Sequence, residues 1–220
     1  MQSSTLQFLR NLEKNNNRDW FNENKTLYQE AQQDVISFVE KLIEEMATFD
    51  EEVGKVDAKK SLFRIYRDTR FSKDKSPYKL FCSAVVAPNG KKSEAVNGIY
   101  FEAGPEALRV YGGIYEIDKD NLLLLREGIA ANPDEFDRLK NAPDFRRIFG
   151  EIIGEKNKIL PADLKAAAEK EPLLYNKQWY FMAEYAPEEI LSDKLDQLLE
   201  ECYMAGKPLE AFFNRFIQRS

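Results

Sequence analysis

The chain has 220 residues, 43% hydrophobic and 32% charged, with a net charge of -6, the composition of a folded globular protein. It contains no histidine and only two cysteines, Cys82 and Cys202, far apart in sequence; this excludes imidazole-based nucleophilic pairs, a CxxC redox motif and the commonest zinc and iron sites. No apolar run approaches the ~20 residues of a membrane span, and the opening MQSSTLQFLRNLEK lacks the pattern of a secretory leader, so the expectation is a cytoplasmic protein without membrane association, folded as a single domain over residues 1–220.

Residues 5–15 read as a short helix, and the run Asn15, Asn16, Asn17 breaks it while supplying an N-cap for the next one. Over residues 18–49, Trp20, Leu27, Ala31, Val35, Phe38, Leu42 and Met46 recur at spacings of three, four or seven. That periodicity predicts one long amphipathic N-terminal helix. The stretches 62–67, 80–87, 96–103 and 108–115 are rich in Ile, Val, Phe and Tyr and predict strands. Pro88-Asn89-Gly90 and Gly104-Pro105-Glu106 are short enough for hairpins, whereas parallel neighbours need long crossovers.

Past Asp118 the pattern is helical, in pieces that restart at Pro133 and Pro143. Residues 154–176 read as an irregular connection and 179–186 as a fifth strand. Pro187 then opens a helix with the stripe Leu191, Leu195, Leu198 and Cys202, and Gly206 with Pro208 predicts a stop and a restart. The expected class is α+β: a mainly antiparallel five-stranded meander packed with a long N-terminal helix and C-terminal helices.

Charge is unevenly distributed along this frame. Residues 64–79 (RIYRDTRFSKDKSPYK) hold six basic and two acidic side chains, so the rest of the chain sums to -10. Arg64, Arg67 and Arg70 fall at every third position, and Ser72, Ser76 and Tyr78 add hydroxyls. Guanidinium forks and hydroxyls suit carboxylate or phosphate. A straight strand would hold Arg64 and Arg70 about 20 Å apart, so a shared anion site requires a bend, for which Asp74 and Ser76-Pro77 are strong turn formers. Arg70, Lys73, Lys75 and Lys79 then approach Arg64 or Arg67, with Asp68 and Asp74 orienting them. The competing reading is a solvated loop whose arginines pair with acids such as Glu102 or Glu116.

Other candidates are weaker. Gly112-Gly113 within a strand marks a bulge or a close approach and belongs to no phosphate-loop motif. Asp118 and Asp120 suit a divalent cation, but equally a helix N-terminus. Core packing accounts for Trp20, Trp179, Tyr180, Phe181 and Tyr185 more simply than base stacking, and an acidic chain disfavours an extended nucleic acid. No cofactor or metal motif is apparent.

The basic stretch, together with FLRNLEKNNNRDWFNENKTLY before it, resembles the bacterial and fungal domain-of-unknown-function family 2461. The family pattern R-x-x-R-D-x-R-F-S-x-D-K-x-P-Y-K falls on Arg64, Arg67, Asp68, Arg70, Phe71, Ser72, Asp74, Lys75, Pro77, Tyr78 and Lys79. Asn16, Arg18, Trp20, Phe21, Lys25 and Tyr28 match its opening segment, and Gly112, Gly113 and Tyr115 its glycine-rich strand. The resemblance covers nearly the whole chain and carries no established activity. It implies that Arg18, Lys25 and Tyr28, which share one helical face at spacings of seven and three, look onto the same site as the basic segment. Two functional expectations stand: a small phosphate- or carboxylate-bearing ligand held by this cluster, with or without catalysis, or a non-catalytic module docking an acidic partner or nucleic acid.

Overall fold

A computed structural model describes residues 1–88, 90–92 and 98–217, the side chain of Lys92 aside. Asn89 of the expected first turn, and Val96 and Asn97 of the expected third strand, lie outside the described residues. In chain order come α1 (Ser3–Lys14), α2 (Arg18–Glu23), α3 (Lys25–Met46), α4 (Ala58–Ser61), β1 (Cys82–Val86), β2 (Ile99–Ala103) and β3 (Leu108–Ile114). They are followed by α5 (Lys119–Ala131), α6 (Pro133–Lys140), α7 (Pro143–Ile148), α8 (Lys165–Lys170), β4 (Trp179–Tyr185) and α9 (Leu195–Asn214). The class is α+β, and the strands form one antiparallel sheet in the order β1-β2-β3-β4.

The described sheet therefore has four strands, not the expected five. Residues 62–67 make only isolated antiparallel bridges, Leu62 with Ala84 and Tyr66 with Tyr78. Arg67 N–H donates to Pro77 O at 2.9 Å and Lys79 N–H to Ile65 O at 2.8 Å. Pro77 has no N–H with which to return the bond, so the ladder stops after one rung.

The single long helix expected over residues 18–49 is also two. Asn17 caps α2, its Oδ1 accepting the Trp20 N–H at 3.0 Å. At Asn24 both the backbone N–H and the side-chain amide donate to Trp20 O, at 3.0 and 2.8 Å. An asparagine side chain that takes a carbonyl in this way competes with the helical ladder, and the axis restarts at Lys25.

The chain divides into two compact units. The first comprises Met1–Lys91, Tyr100–Val110 and Glu184–Leu199. Its core buries Leu6, Leu9 and Leu12 of α1 together with Val35, Val39, Leu42 and Met46 of α3, which packs on both α1 and β1. Leu27, placed on the same stripe by its spacing, is 44% exposed. The second unit comprises Lys92–Ile99, Tyr111–Ala183 and Glu200–Ser220. Its core is aromatic: Trp179, Phe136, Phe145, Phe181, Phe212 and Phe213 are buried and meet edge to face or tilted at 5.0–6.4 Å. Pro133 and Pro143 open α6 and α7 as read. Asp118 caps α5 by accepting the Asp120 and Asn121 N–H groups, both at 2.9 Å.

The predicted stop at Gly206 and Pro208 does not occur, since α9 runs through both. Gly206 is there for close approach: a Cβ on it would stand 2.9 Å from the Phe181 ring. Pro208 lies on the exposed outer side of α9, where the carbonyl it leaves without an N–H can turn to water. Leu191, expected on the buried stripe of this helix, precedes it in a 3-10 turn (Pro187–Leu191) and is 43% exposed. Gly113 has φ +82° with Trp179 O 2.4 Å from where its Cβ would be, so β4 comes in over a residue with no side chain.

Candidate functional site

Residues 67–77 form a loop that is braced from inside. Asp74 accepts the Ser76 N–H at 2.9 Å and the Ser76 hydroxyl at 2.6 Å. The Arg67 guanidinium crosses the loop and donates to Asp74, to Ser76 O at 3.2 Å and to Ser72 Oγ at 3.5 Å. Arg70 forms a fork on Asp68, Nε to Oδ1 at 3.0 Å and Nη2 to Oδ2 at 2.6 Å, and Lys75 Nζ donates to Thr69 O at 2.9 Å. These bonds hold both aspartates below the usual carboxylate range: Asp74 through Ser76 first and Arg67 second, Asp68 through Arg70. Local pairing has thus already engaged most of the cationic forks that the sequence put forward.

The loop is pinned to the N-terminal helices of the same unit. Tyr78, 3% exposed, stacks on Phe21 of α2 with centroids 4.0 Å apart and planes 14° from parallel, and Tyr66 leans on both rings. Asn16 closes the attachment. Its Nδ2 donates to Tyr78 O at 3.0 Å and its Oδ1 accepts the Tyr78 N–H at 3.1 Å. Asn16 was legible as part of a break between helices and of the family's opening segment; its reciprocal pairing with a backbone 62 residues away has no signature in spacing.

Beside this attachment lies an open cleft of about 550 Å³. Arg67, Asp68, Asp74, Tyr78 and Lys79 of the basic segment line it, facing Glu102, Glu106 and Arg109 from the β2–β3 hairpin and its flanks. The floor includes Leu80, Phe81 and Gly104, where a Cβ would stand only 3.0–3.1 Å from Leu80 O and the Phe81 Cβ. The lining is of mixed sign. Arg109 Nε donates to Glu184 at 2.7 Å, and Glu102 accepts the Tyr100 hydroxyl at 2.7 Å.

Lys79 differs from the other cations. Its ammonium sits 5.6 Å from the Phe63 ring centroid and 5.5 Å from that of Phe81, contacts each worth about 0.5–2 kcal/mol. Burial lowers its pKa, Glu102 opposes that shift and Arg64 adds to it. A half-buried ammonium resting on ring faces keeps its N–H donors for something else. Proton transfer in the cleft falls to Lys79 or the carboxylates, because burial raises the pKa of Tyr78, the tyrosine that lines it.

The structure brings some of the expected site residues together and leaves others apart. Arg67, Asp68, Tyr78 and Lys79 line the cleft. Ser72, Arg70 and Lys75 brace the loop as described. Arg64 is exposed and acts electrostatically on Asp68 and Lys79. Arg18 and Lys25 are exposed on α2 and α3; burial raises the Tyr78 pKa, and Arg18 is close enough to oppose that shift. Tyr28 packs on Phe21, centroids 5.0 Å apart, and lines a separate recess of about 20 Å³. Asp118 and Asp120 serve as helix cap and first turn, and no group of three potential metal ligands occurs among the described residues. Nor is any described helix long and apolar enough to cross a membrane.

Sheet, helices and cleft thus describe an α+β protein whose one arginine-rich loop is anchored to its N-terminal helices. The chain belongs to the family described as conserved hypothetical protein (DUF2461), which matches it over residues 4–212. No curated protein and no solved structure matches it.

Proposed function

We propose that the cleft binds a small ligand carrying a phosphate or carboxylate, with Lys79 as the group that meets the anion. The observation carrying this reading is the Lys79 ammonium, half buried on two aromatic rings inside a concave cleft, where a cation–anion contact is stronger than in water. Arg67 and Arg70 act mainly as braces, since Asp74 and Asp68 already engage them. Glu102 and Glu106 suit hydroxyl or amino groups on the same ligand.

A thermal-shift screen against phosphorylated sugars, nucleotides, dicarboxylates and amino acids tests the proposal. A ligand at a hundredfold excess over its Kd should raise the unfolding midpoint by about 5–11 °C, and Lys79→Met should abolish the shift. No shift with any compound, or a shift that survives Lys79→Met, overturns it.

A second reading, docking of an acidic partner, draws on Phe71. That ring is 95% exposed at the loop tip with the Arg70 guanidinium 5.9 Å from its centroid, and Lys73 and Lys75 beside it are exposed. It predicts that Phe71→Ala weakens partner binding and leaves small-molecule shifts untouched.

A further inference from the structure

In the second unit, Arg126 carries a charge that no described residue balances. Arg126 of α5 is 5% exposed, and of its guanidinium donors only Nη2 is engaged, to Asn176 O at 2.9 Å. Its Nε is buried without an acceptor. No carboxylate acts on it; burial alone pulls its pKa down. Asn176 beside it is 1% exposed, and neither Oδ1 nor Nδ2 has a hydrogen-bond partner.

Several other cations of this unit have carboxylate partners. Lys140 has Glu171, Arg215 has Glu135 at 2.6 Å, and Lys177 has Glu155 at 3.3 Å. A buried guanidinium without a counter-charge is costly and rare, and buried polar groups are almost always satisfied. A water molecule could accept from Nε but would leave the charge uncompensated.

We propose that Arg126 and Asn176 form a buried site for a small monovalent anion of halide size, with Arg126 Nε and the Asn176 side-chain amide as donors. One uncompensated positive charge calls for one negative charge. Size follows from burial: Arg126 and Asn176 are 5% and 1% exposed, and the Gly154 side is closed, a Cβ there standing 3.0 Å from Asn176 Nδ2, so the ion is small and lies on the other side of the amide. Arg126 lies on α5 and Asn176 just ahead of β4, so the anion ties a helix to the entry of a strand and belongs to the stability of this unit. The site is independent of the cleft.

The test compares thermal unfolding of the whole chain in sodium chloride and in sodium gluconate at one ionic strength. Chloride, and bromide in its place, should raise the midpoint by about 3–5 °C per tenfold concentration above saturation, while gluconate does not. Arg126→Met should lose the difference. If that variant fails to fold, bromide-soaked crystals of the wild-type chain decide through an anomalous peak next to Arg126 Nε and Asn176. Superimposable chloride and gluconate curves, a chloride effect retained in Arg126→Met, or no bromide at that position each overturn the proposal.

Discussion

Glu210 should make the protein lose stability as pH rises through neutrality, the reverse of ordinary acid denaturation. Its carboxyl is 1% exposed within α9 and accepts the Gly113 N–H at 2.8 Å and the Gly98 N–H at 3.0 Å. Burial pushes its pKa up from 4.5 to about 7, against the pull of those two bonds. A folded-state pKa above the unfolded one means that the folded state holds the proton more tightly. The stabilisation is complete below pH 4.5 and is lost as pH rises through 7, with a slope of about 1.4 kcal/mol per pH unit and a total of about 3 kcal/mol. Asp68, Asp74, Asp118 and Asp196 have lowered pKa values, so their contributions are lost only as pH falls below the ordinary carboxylate range; above pH 5 they are ionised in both states and cannot mask the slope. Glu210→Gln removes the titration but turns an amide N–H2 toward one of the two glycine N–H groups, at a cost of about 1–3 kcal/mol that does not depend on pH. Urea unfolding at intervals from pH 5 to pH 8 should therefore show the wild-type advantage over Glu210→Gln shrinking by about 2.5 kcal/mol. Parallel curves would refute the reasoning, because they would mean that the buried carboxyl titrates alike folded and unfolded.

Three further outcomes follow from particular contacts. Gly113→Ala should cost upwards of about 3 kcal/mol, since it combines a positive φ with a backbone oxygen 2.4 Å from the new Cβ; a thermal midpoint within a degree of wild type would contradict this. Asn16→Ala leaves the Tyr78 N–H and carbonyl unpaired in a half-buried position and should cost about 1–3 kcal/mol, with limited proteolysis showing faster cleavage within residues 67–77. Pro208→Ala restores a helical donor on an exposed face of α9 and should raise the thermal midpoint; a lowered midpoint would mean that the ring contributes packing there.

The local parts of this protein were legible because they depend on neighbours a few residues away. A cap from the asparagine run at 15–17, Asp118 and Asp120 at a helix N-terminus, and Pro133 and Pro143 as helix starts all act within one turn of chain, and the structure bears them out. The buried stripe of α3 was legible too, because period 3.6 survives in the sequence of any helix lying on a core.

Errors came where the deciding partner is distant. Residues 62–67 have strand composition, but a strand also needs a partner that can return its hydrogen bonds, and Pro77 cannot. Gly206 and Pro208 spell a helix stop, yet the Phe181 ring explains the glycine and exposure tolerates the proline.

Taken alone, the sequence determined that residues 64–79 are basic, must turn and belong to a recognisable family pattern. Only the tertiary structure decided how those charges are used. Asp74 and Asp68 neutralise Arg67 and Arg70 from within the loop, while Lys79 is carried onto Phe63 and Phe81 beside the hairpin acids. Charge can be counted along a chain, but whether a charge is paired or held available depends on distance through space, which folding alone sets.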